Sequence, residues 1–330
     1  MPAFNAERYI SEAIESVLSQ THQDFEFIIT DDGSTDSTLR IVESYRQIDP
    51  RISVASHRNL GMGASLNQAL DLANNEWIVR MDADDIMLPH RIERQIRFVE
   101  ENPDIAVAGT LVYYIDEHGK TFGESPRPRL TSNARVQEFV RRNKLKGKSD
   151  LEALPVVGFP HFMLYHPSVI VRKPVVKEVG GYRPEFWPVD DFDLWNRIIE
   201  RGYTALIQPE HLLKYRRHGS SGSMERVQHA WSKVDWVETC AARRRSGKPE
   251  PSWEEFLAIR RQAPWWKRLN QKRRDRAKIL YDAARSHFSR RRYSSLVPAL
   301  VGAALLQPSF VLPRLLSFRH SSKRGKKQTT

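Results

Sequence analysis

The 330-residue sequence predicts an α/β fold in which a mainly parallel, twisted sheet carries helices on both faces, followed by a basic helical appendix. Three observations support this prediction. Helical and strand periodicities alternate over about the first 110 residues. Polar residues follow the successive strands. The net charge of +12 divides into −6 over residues 1–240 and +18 over residues 241–330. We therefore expect two domains, 1–224 and 225–330.

The first elements alternate between helix and strand. Apolar residues at helical spacing begin at Tyr9. After this first helix the pattern predicts a strand at 25–29, a helix at 37–48, a strand at 52–55, a helix at 64–73, a strand at 77–81, a helix at 89–101 and a strand at 105–109. Such alternation is typical of a parallel sheet, whose ligands bind beyond the carboxyl ends of the strands.

The remainder of the chain is less regular. Residues 119–150 are loop-rich, 168–172 are strand-like and 190–201 read as a helix. From about residue 225 the pattern is helical, and residues 290–306 suit one arm of a helical hairpin.

Composition excludes several classes of protein. The 40% hydrophobic content argues against a disordered chain, and the single cysteine, Cys240, allows neither an intramolecular disulfide nor a cysteine-based metal site. Residues 1–5 lack the basic start of a signal peptide, and the apolar run 296–306 is too short for the ~20 residues that cross a bilayer. We expect a cytoplasmic protein.

The basic charge lies outside the predicted catalytic body. An enzyme acting on nucleic acid is expected to carry positive charge on that body, so a nucleic-acid substrate is not expected. The tail is either a solvated helical segment or a segment that binds an anionic membrane surface or a nucleic acid. Its cationic clusters lie at 243–245, 272–274 and 290–292, near Trp265, Trp266, Leu269 and Phe288. Because cations beside aromatic side chains suit an anionic bilayer, we expect peripheral binding to the cytoplasmic face of the plasma membrane.

Polar residues follow four consecutive strands. They lie at Asn5, at 31–34, at 59–61 and at 80–85. The predicted topology brings these segments to one crevice with five carboxylates, which repel one another unless a cation binds.

Two acidic motifs lie at these strand ends. Asp82-Ala83-Asp84 either forms a polar turn or holds Mg²⁺ or Mn²⁺ that bridges a pyrophosphate. Asp31-Asp32 opens a turn whose next residues cap a helix, and the Asp32 carboxylate is also able to accept the N3–H of uracil or thymine.

Asp190-Asp191 and His218 complete the candidate constellation. The two aspartates open a helix, where they either complement the helix dipole or supply a general base for an attacking hydroxyl. His218 is either a surface histidine or a ligand of a metal or pyrophosphate on a lid. In the second case, its neighbours Arg216 and Arg217 face phosphate.

The ordered motifs resemble the family 2 glycosyltransferases of GT-A fold. These motifs are Pro2-Ala3-Phe4-Asn5, Asp31-Asp32-Gly33-Ser34, Asn59-Leu60-Gly61, Arg80-Met81-Asp82-Ala83-Asp84-Asp85, His166-Pro167-Ser168, Gly180-Gly181-Tyr182, Asp190-Asp191 and Arg216-Arg217-His218. The resemblance spans about residues 1–223 and implies an inverting, hexosyltransferase-like enzyme with a divalent cation. Its donor would be a nucleotide-diphospho-sugar, with a UDP-sugar favoured. Its acceptor would be a glycan or a lipid-linked molecule in cell-surface polysaccharide assembly.

The resemblance also implies residue roles. Asp191 corresponds to the catalytic base, Asp32 to the base-contacting aspartate and Asp84 to the principal metal ligand, while Asp82 lies near the ribose or the metal. From its place beside the basic residues 216–217, we expect His218 to be a further metal ligand. The expected donor-binding residues are Pro2, Ala3, Asn5, Asp32, Asn59, Arg80, Asp82 and Asp84.

The sequence departs from the family pattern at three places. Asp190 stands where the family usually has Glu, and Leu194-Trp195-Asn196-Arg197 lacks the Gln-x-x-Arg-Trp signature of processive synthases, which favours single addition. The family's first strand also normally carries apolar residues before the position of Met1, so we expect part of a central strand to be missing.

Two other functions are compatible with this chemistry. A sugar-nucleotide nucleotidyltransferase would need a glycine-rich, basic phosphate loop, which residues 3–7 do not provide. A non-catalytic nucleotide-sugar-binding protein would have no need of both Asp84 and Asp191.

Overall fold

The computed structural model describes residues 1–125, 164–218, 227–289, 293–309 and 311, and it has the predicted α/β class. The chain divides into two units, Met1–His218 and Gly219–Thr330. The predicted boundary at residues 224 and 225 lies outside the described residues, as do most of the loop-rich segment and the basic cluster 290–292.

The first region is a three-stranded parallel sheet with helical connections. Its elements are β1 (Pro2–Ala3), α1 (Ile10–Leu18), β2 (Phe27–Asp31), α2 (Thr38–Ile48), β3 (Ile52–Ser56) and α3 (Met62–Leu72). The strand order is β1-β2-β3, with parallel pairing throughout. Ile10, Ile14 and Val17 of α1 share one helix face and pack against Ile29 of β2, as the spacing predicts. This packing holds α1 against the sheet that contains β1 and β2.

A second, mixed sheet follows in the order β4-β8-β6-β9-β5, with β7 on β6. Its strands and intervening helices are β4 (Trp77–Val79), β5 (Ile86–Met87), α4 (Arg91–Glu100), β6 (Ile105–Ile115), β7 (Thr121–Glu124), β8 (Ile170–Arg172), α5 (Lys173–Glu178), α6 (Asp190–Glu200) and β9 (Thr204–Arg216). Among the described strands of this sheet, β6 and β9 pair in parallel and the other four pairings are antiparallel.

Parallel pairing is therefore less widespread than the mainly parallel sheet that the alternation predicts. It covers β1-β2-β3 and the β6–β9 pair. Periodicity identifies a strand but not its neighbour, and antiparallel neighbours need no crossover helix. Strand direction in the second sheet is therefore set by long-range pairing. The central β6 is long and almost entirely buried, since α4 and α6 contribute side chains to the clusters that contain its residues.

The second unit is helical in its described part. Its helices are α7 (Val227–Arg245), α8 (Trp253–Gln262), α9 (Trp265–Ser289) and α10 (Tyr293–Leu306). Ser252 and Glu255 form a capping box at the start of α8. The predicted hairpin is present, since Ala303 of α10 packs in one apolar cluster with Tyr281 of α9. Within the described ranges, no helix combines the length and the apolar character needed to span a membrane.

Candidate active site

The turn after β2 holds two buried aspartates with backbone and hydroxyl donors. Asp31 accepts a hydrogen bond from the Ser56 hydroxyl at 3.0 Å. Asp32 accepts hydrogen bonds from the backbone N–H groups of Leu60 at 2.7 Å and Gly61 at 2.9 Å. The protein's own donors thus meet the charge of both carboxylates, and these two aspartates do not need a cation to coexist.

Other predicted donor-binding residues surround this turn. The carbonyl of Ala3 accepts the N–H of Asp32 at 2.8 Å, and Asn59 Nδ2 donates to the Asp32 carbonyl at 3.1 Å. Asn5 has a φ of 47°, and its side-chain oxygen accepts the N–H of Thr35 at 2.8 Å. The turn therefore gathers Pro2, Ala3, Asn5, Asp32 and Asn59.

A second acidic group follows β4. One ligand atom from each of Asp82, Asp84 and Asp85 lies within 4.8 Å of the others. A set of carboxylate oxygens matches the chemistry of a hard divalent cation such as Mg²⁺ or Mn²⁺. Burial raises the pKa of Asp82, and burial together with the charge of Asp84 raises the pKa of Asp85 well above its ordinary value. The close approach of these carboxylates therefore carries an electrostatic cost that a bound cation would remove.

Arg80 lies at the centre of the charged groups. Its side chain is 4% exposed, and its Nη2 lies 2.7 Å from Asp82 Oδ1. Burial opposes the charge of this guanidinium, but the Asp82 carboxylate outweighs that effect and raises the pKa of Arg80. Among the residues that the structure describes, Arg80 Nε and Nη1 are buried and have no hydrogen-bond partner. Arg80 thus has N–H donors left for an anionic ligand.

The end of β9 brings His218 to the acidic group. His218 Nε2 lies 2.9 Å from Asp84 Oδ2, and its ring packs at 5.1 Å from the ring of Tyr9. Two side chains predicted as metal ligands are thus adjacent. The rest of the loop predicted to carry His218 as a lid, residues 219–223, lies outside the described residues.

Arg216 does not face phosphate, which corrects the interpretation of the basic neighbours of His218. Its side chain is buried: Nε donates to the carbonyl of Asp84 at 2.7 Å, and Nη2 pairs with Glu12. Its backbone N–H donates to Asp85 Oδ1 at 2.8 Å. Arg216 therefore holds the Asp84-Asp85 turn in place through hydrogen bonds to the Asp84 carbonyl and the Asp85 side chain. This role is not visible in the sequence, because β9 and the turn meet only through long-range pairing.

Helix α6 begins at Asp190 and Asp191, the second of which is the predicted catalytic base. Both are buried, and Asp191 Oδ1 accepts the N–H of Phe192 at 2.7 Å. Burial raises the pKa of Asp190 to about 6, while burial and then the neighbouring Asp190 raise the pKa of Asp191 to about 7. The charge of Arg80 acts on both carboxyl groups in the opposite direction. A carboxylate with a pKa near neutrality is suited to general-base catalysis.

An internal ion network fixes the start of α6. Asp193 is fully buried and accepts hydrogen bonds from Arg183 Nε and Arg197 Nε, both at 2.9 Å. Arg197 Nη2 also donates to the carbonyl of Gly181 at 2.7 Å. The network thus joins the helix that carries Asp191 to the glycine turn after α5. The i,i+4 spacing of Asp193 and Arg197 is the sequence signal for their ion pair, whereas no such spacing indicates the pair with Arg183.

Two glycines form the turn that ends α5. Gly180 and Gly181 both have positive φ, and the N–H of Gly181 donates to the carbonyl of Val176 at 2.8 Å. The next residue, Tyr182, exchanges two backbone hydrogen bonds of 2.8 Å with the Asn67 side chain. The turn therefore joins α5 to α3.

The predicted residues thus fall into three neighbouring groups. The β2 turn gathers the expected base-binding residues, the β4 turn gathers Arg80, Asp82, Asp84 and His218, and α6 presents Asp191. Arg80 acts electrostatically on the second and third groups. A buried arginine with unpaired donors, beside a carboxylate group and a carboxyl of raised pKa, suits the transfer of a group away from a diphosphate.

Comparison with known proteins identifies the family. The model of "Glycosyl transferase family 2" matches residues 1–170. The chain belongs to glycosyl transferase family 2. It is 34% identical over 223 residues to the uncharacterized glycosyltransferase MJ1057 of Methanocaldococcus jannaschii, covering 67% of this chain and 70% of the relative. It is 28% identical over 226 residues to the amylovoran biosynthesis glycosyltransferase AmsE of Erwinia amylovora, covering 68% of this chain and 76% of the relative.

A solved structure supports the fold of this family 2 glycosyltransferase. S. aureus TarS 1-349 in complex with UDP-GlcNAc aligns with a TM-score of 0.55 at 15% identity and covers 93% of this chain and 90% of that chain. This likeness shows the GT-A fold. Membership of the family makes the chain an inverting glycosyltransferase, as the resemblance implied.

Proposed function

We propose that this family 2 glycosyltransferase moves one sugar from a UDP-sugar to an acceptor hydroxyl, by a single displacement and without processive polymerisation. The arrangement around Arg80 carries the proposal. Its guanidinium pairs with Asp82, leaves its Nε and Nη1 nitrogens without a hydrogen-bond partner among the described residues, and acts electrostatically on Asp191. The oxygens of a diphosphate bound beside Arg80 would accept hydrogen bonds from these two nitrogens, and such bonds are stronger where water is largely excluded.

The carboxylate group suits a divalent metal, Mg²⁺ or Mn²⁺. Asp84 is the proposed principal ligand, with Asp82 and His218 as further ligands; Asp82 shares its charge with Arg80 at 2.7 Å. When bound, such a cation neutralises the charge of the diphosphate leaving group. Arg216 fixes the Asp84 backbone through its 2.7 Å hydrogen bond, so the turn is held before a ligand arrives.

Asp191 is the proposed general base. The acceptor hydroxyl forms its bond to the anomeric carbon from the face opposite the diphosphate, and the Asp191 carboxylate takes the hydroxyl proton. The bond between the sugar and the diphosphate breaks in the same step, so the configuration inverts. Catalysis then rests on alignment and on fixed charges, with no covalent intermediate on the enzyme.

The β2 turn is the proposed nucleoside site. Asp32 is held by the N–H groups of Leu60 and Gly61, so its carboxylate is oriented before the base arrives. A carboxylate oxygen has more than one acceptor site, and a fixed Asp32 is therefore able to accept the N3–H of uracil as well. Pro2, Ala3, Asn5 and Asn59 line the same turn as proposed donor contacts.

The proposed acceptor is a glycan or a lipid-linked molecule in cell-surface polysaccharide assembly. The similarity to AmsE, an amylovoran biosynthesis glycosyltransferase, supports this class of acceptor. A lipid-linked acceptor further supports a location at the cytoplasmic face of the plasma membrane, to which we propose the enzyme binds peripherally.

A donor screen tests the proposal directly. Thermal unfolding is followed with Mn²⁺ and each of a UDP-, a GDP- and a dTDP-sugar, and again with each nucleotide sugar in the absence of metal. We expect stabilisation by the UDP-sugar that is larger with Mn²⁺. Equal stabilisation by all three donors, or by none, would contradict the assigned donor.

Product analysis separates transfer from the two alternative functions. With donor and acceptor, a transferase releases UDP and makes a glycoside of inverted configuration. A nucleotidyltransferase instead releases pyrophosphate from UTP and a sugar phosphate, and a non-catalytic binding protein releases neither product.

A further inference from the structure

The start of α9 exposes an apolar surface that ends in positive charge. Trp265, Trp266 and Leu269 are 66%, 57% and 60% exposed. Lys272 and Arg273 lie about one turn after Leu269 and about two turns after Trp265, and they are exposed as well. Residues three, four, seven and eight positions apart lie on one side of a helix, so these five residues form one surface. We refer to them as the aromatic-basic face.

Other tryptophans of the same unit are used internally. Trp236 is 3% exposed and donates its indole N–H to the carbonyl of Pro251 at 2.8 Å. The Lys233 ammonium lies 4.5 Å from the Trp236 ring and 4.2 Å from the Trp253 ring. The unit therefore buries aromatic rings where its helices meet. The exposure of two adjacent tryptophans on α9 contrasts with this pattern.

The charged side chains of the unit also form two sets, one paired within the fold and one exposed on α9. Asp235 pairs with Lys278 at 2.9 Å and with Arg260 at 3.5 Å, while Arg244 pairs with Glu250 at 2.9 Å. These cations are engaged within the fold. Helix α9 nevertheless carries eight Lys and Arg against two Asp. Six of these cations are exposed: Lys267, Arg268, Lys272, Arg273, Arg274 and Arg276.

The neighbouring helix indicates which anionic partner suits this surface. Helix α10 contains no charged residue between 293 and 306, and it exposes Val297, Val301 and Leu305 by 58%, 52% and 78%. Aliphatic side chains gain free energy in hydrocarbon but gain little from a phosphodiester backbone. Indole rings beside cations are typical of a membrane interface.

We propose that the aromatic-basic face docks on an anionic phospholipid bilayer. The tryptophans and Leu269 enter the headgroup region, and Lys272 and Arg273 remain at the level of the lipid phosphates. This inference names the surface for the peripheral location proposed above, and it holds or fails independently of the transfer reaction.

Flotation of the full chain with vesicles tests the proposal. The vesicles contain phosphatidylglycerol and phosphatidylcholine in equal parts, or phosphatidylcholine alone. Each basic residue near an anionic surface strengthens partitioning about fivefold, so Lys272→Glu with Arg273→Glu should weaken binding to the anionic vesicles about 30-fold or more. Trp265→Ser with Trp266→Ser should weaken binding to both vesicles, by roughly tenfold for each indole that enters the bilayer.

A matched pair of substitutions controls for net charge. Arg94→Glu with Arg97→Glu makes the same charge change on α4 and should leave flotation unchanged. Thermal unfolding checks that every variant is folded. Wild-type flotation of both folded α9 variants would overturn the proposal, as would equal binding of the wild type to neutral and anionic vesicles. A nucleic-acid duplex that abolishes vesicle binding at equal charge concentration would also overturn it, in favour of nucleic acid.

Discussion

Replacing Asp191 with asparagine should remove the catalytic base and also stabilise the protein. Asparagine keeps the shape of aspartate and is about as good a residue at a helix start, so α6 should stay intact. The amide accepts no proton from the acceptor hydroxyl. Turnover should therefore fall by ~10²–10⁴, while donor affinity stays near the wild-type value.

The stability effect follows from the pKa of Asp191. Its folded pKa is about 7, raised by burial and by Asp190 from an unfolded value of 3.8. The folded state therefore binds more protons than the unfolded state between these values, and the free energy of unfolding falls as the pH rises through this window. The penalty is absent below pH 3.8 and complete above about pH 7, where it reaches about 4 kcal/mol. The substitution should thus stabilise the protein by roughly 2–3 kcal/mol more at pH 8 than at pH 5.

Two measurements check this prediction together. Single-turnover transfer gives the rate of the chemical step, and urea denaturation of the protein without ligands at pH 5 and pH 8 gives the free energy of unfolding. In the wild type, kcat/KM should fall as the pH drops below about 7, because the base becomes protonated. Asp190→Asn is the matched control, since it removes a neighbouring buried carboxyl but should retain more turnover. Near-wild-type turnover in Asp191→Asn, or a larger loss at Asp190, would refute the assignment.

Three further predictions concern the metal, the glycine turn and the buried ion network. Asp84→Ala should abolish the Mn²⁺-dependent stabilisation by UDP in thermal unfolding while the protein without ligands stays folded; an unchanged metal dependence would exclude Asp84 as principal ligand. Gly181→Ala should destabilise the fold by about 2 kcal/mol or more, because φ is +69° and a Cβ would lie 2.6 Å from Asn67 Oδ1; a neutral result in urea denaturation would contradict this geometry. Asp193→Asn should cost about 3–5 kcal/mol, because two arginines lose a fully buried counter-ion, whereas Glu93→Gln on the surface of α4 should cost little in the same assay.

The sequence by itself determined the elements and the chemistry at their ends. Apolar spacing predicted α1, α2, α3, α4 and α6 to within about two residues at most ends, because local periodicity reflects which face each helix buries. It also placed Asp82 and Asp84 in the segment that follows a strand and Asp191 in the first turn of a helix, as the structure has them. These positions follow from local order along the chain.

The tertiary structure decided how these elements meet. Strand direction in the second sheet depends on pairing between distant segments. For this reason fewer strands pair in parallel than the sequence predicts. The same long-range contacts turn Arg216 inward against the Asp84 carbonyl and surround Asp32 with the amides of Leu60 and Gly61. Whether a charged side chain supports the fold or faces a ligand depends on the neighbours that folding supplies, and sequence spacing does not specify those neighbours.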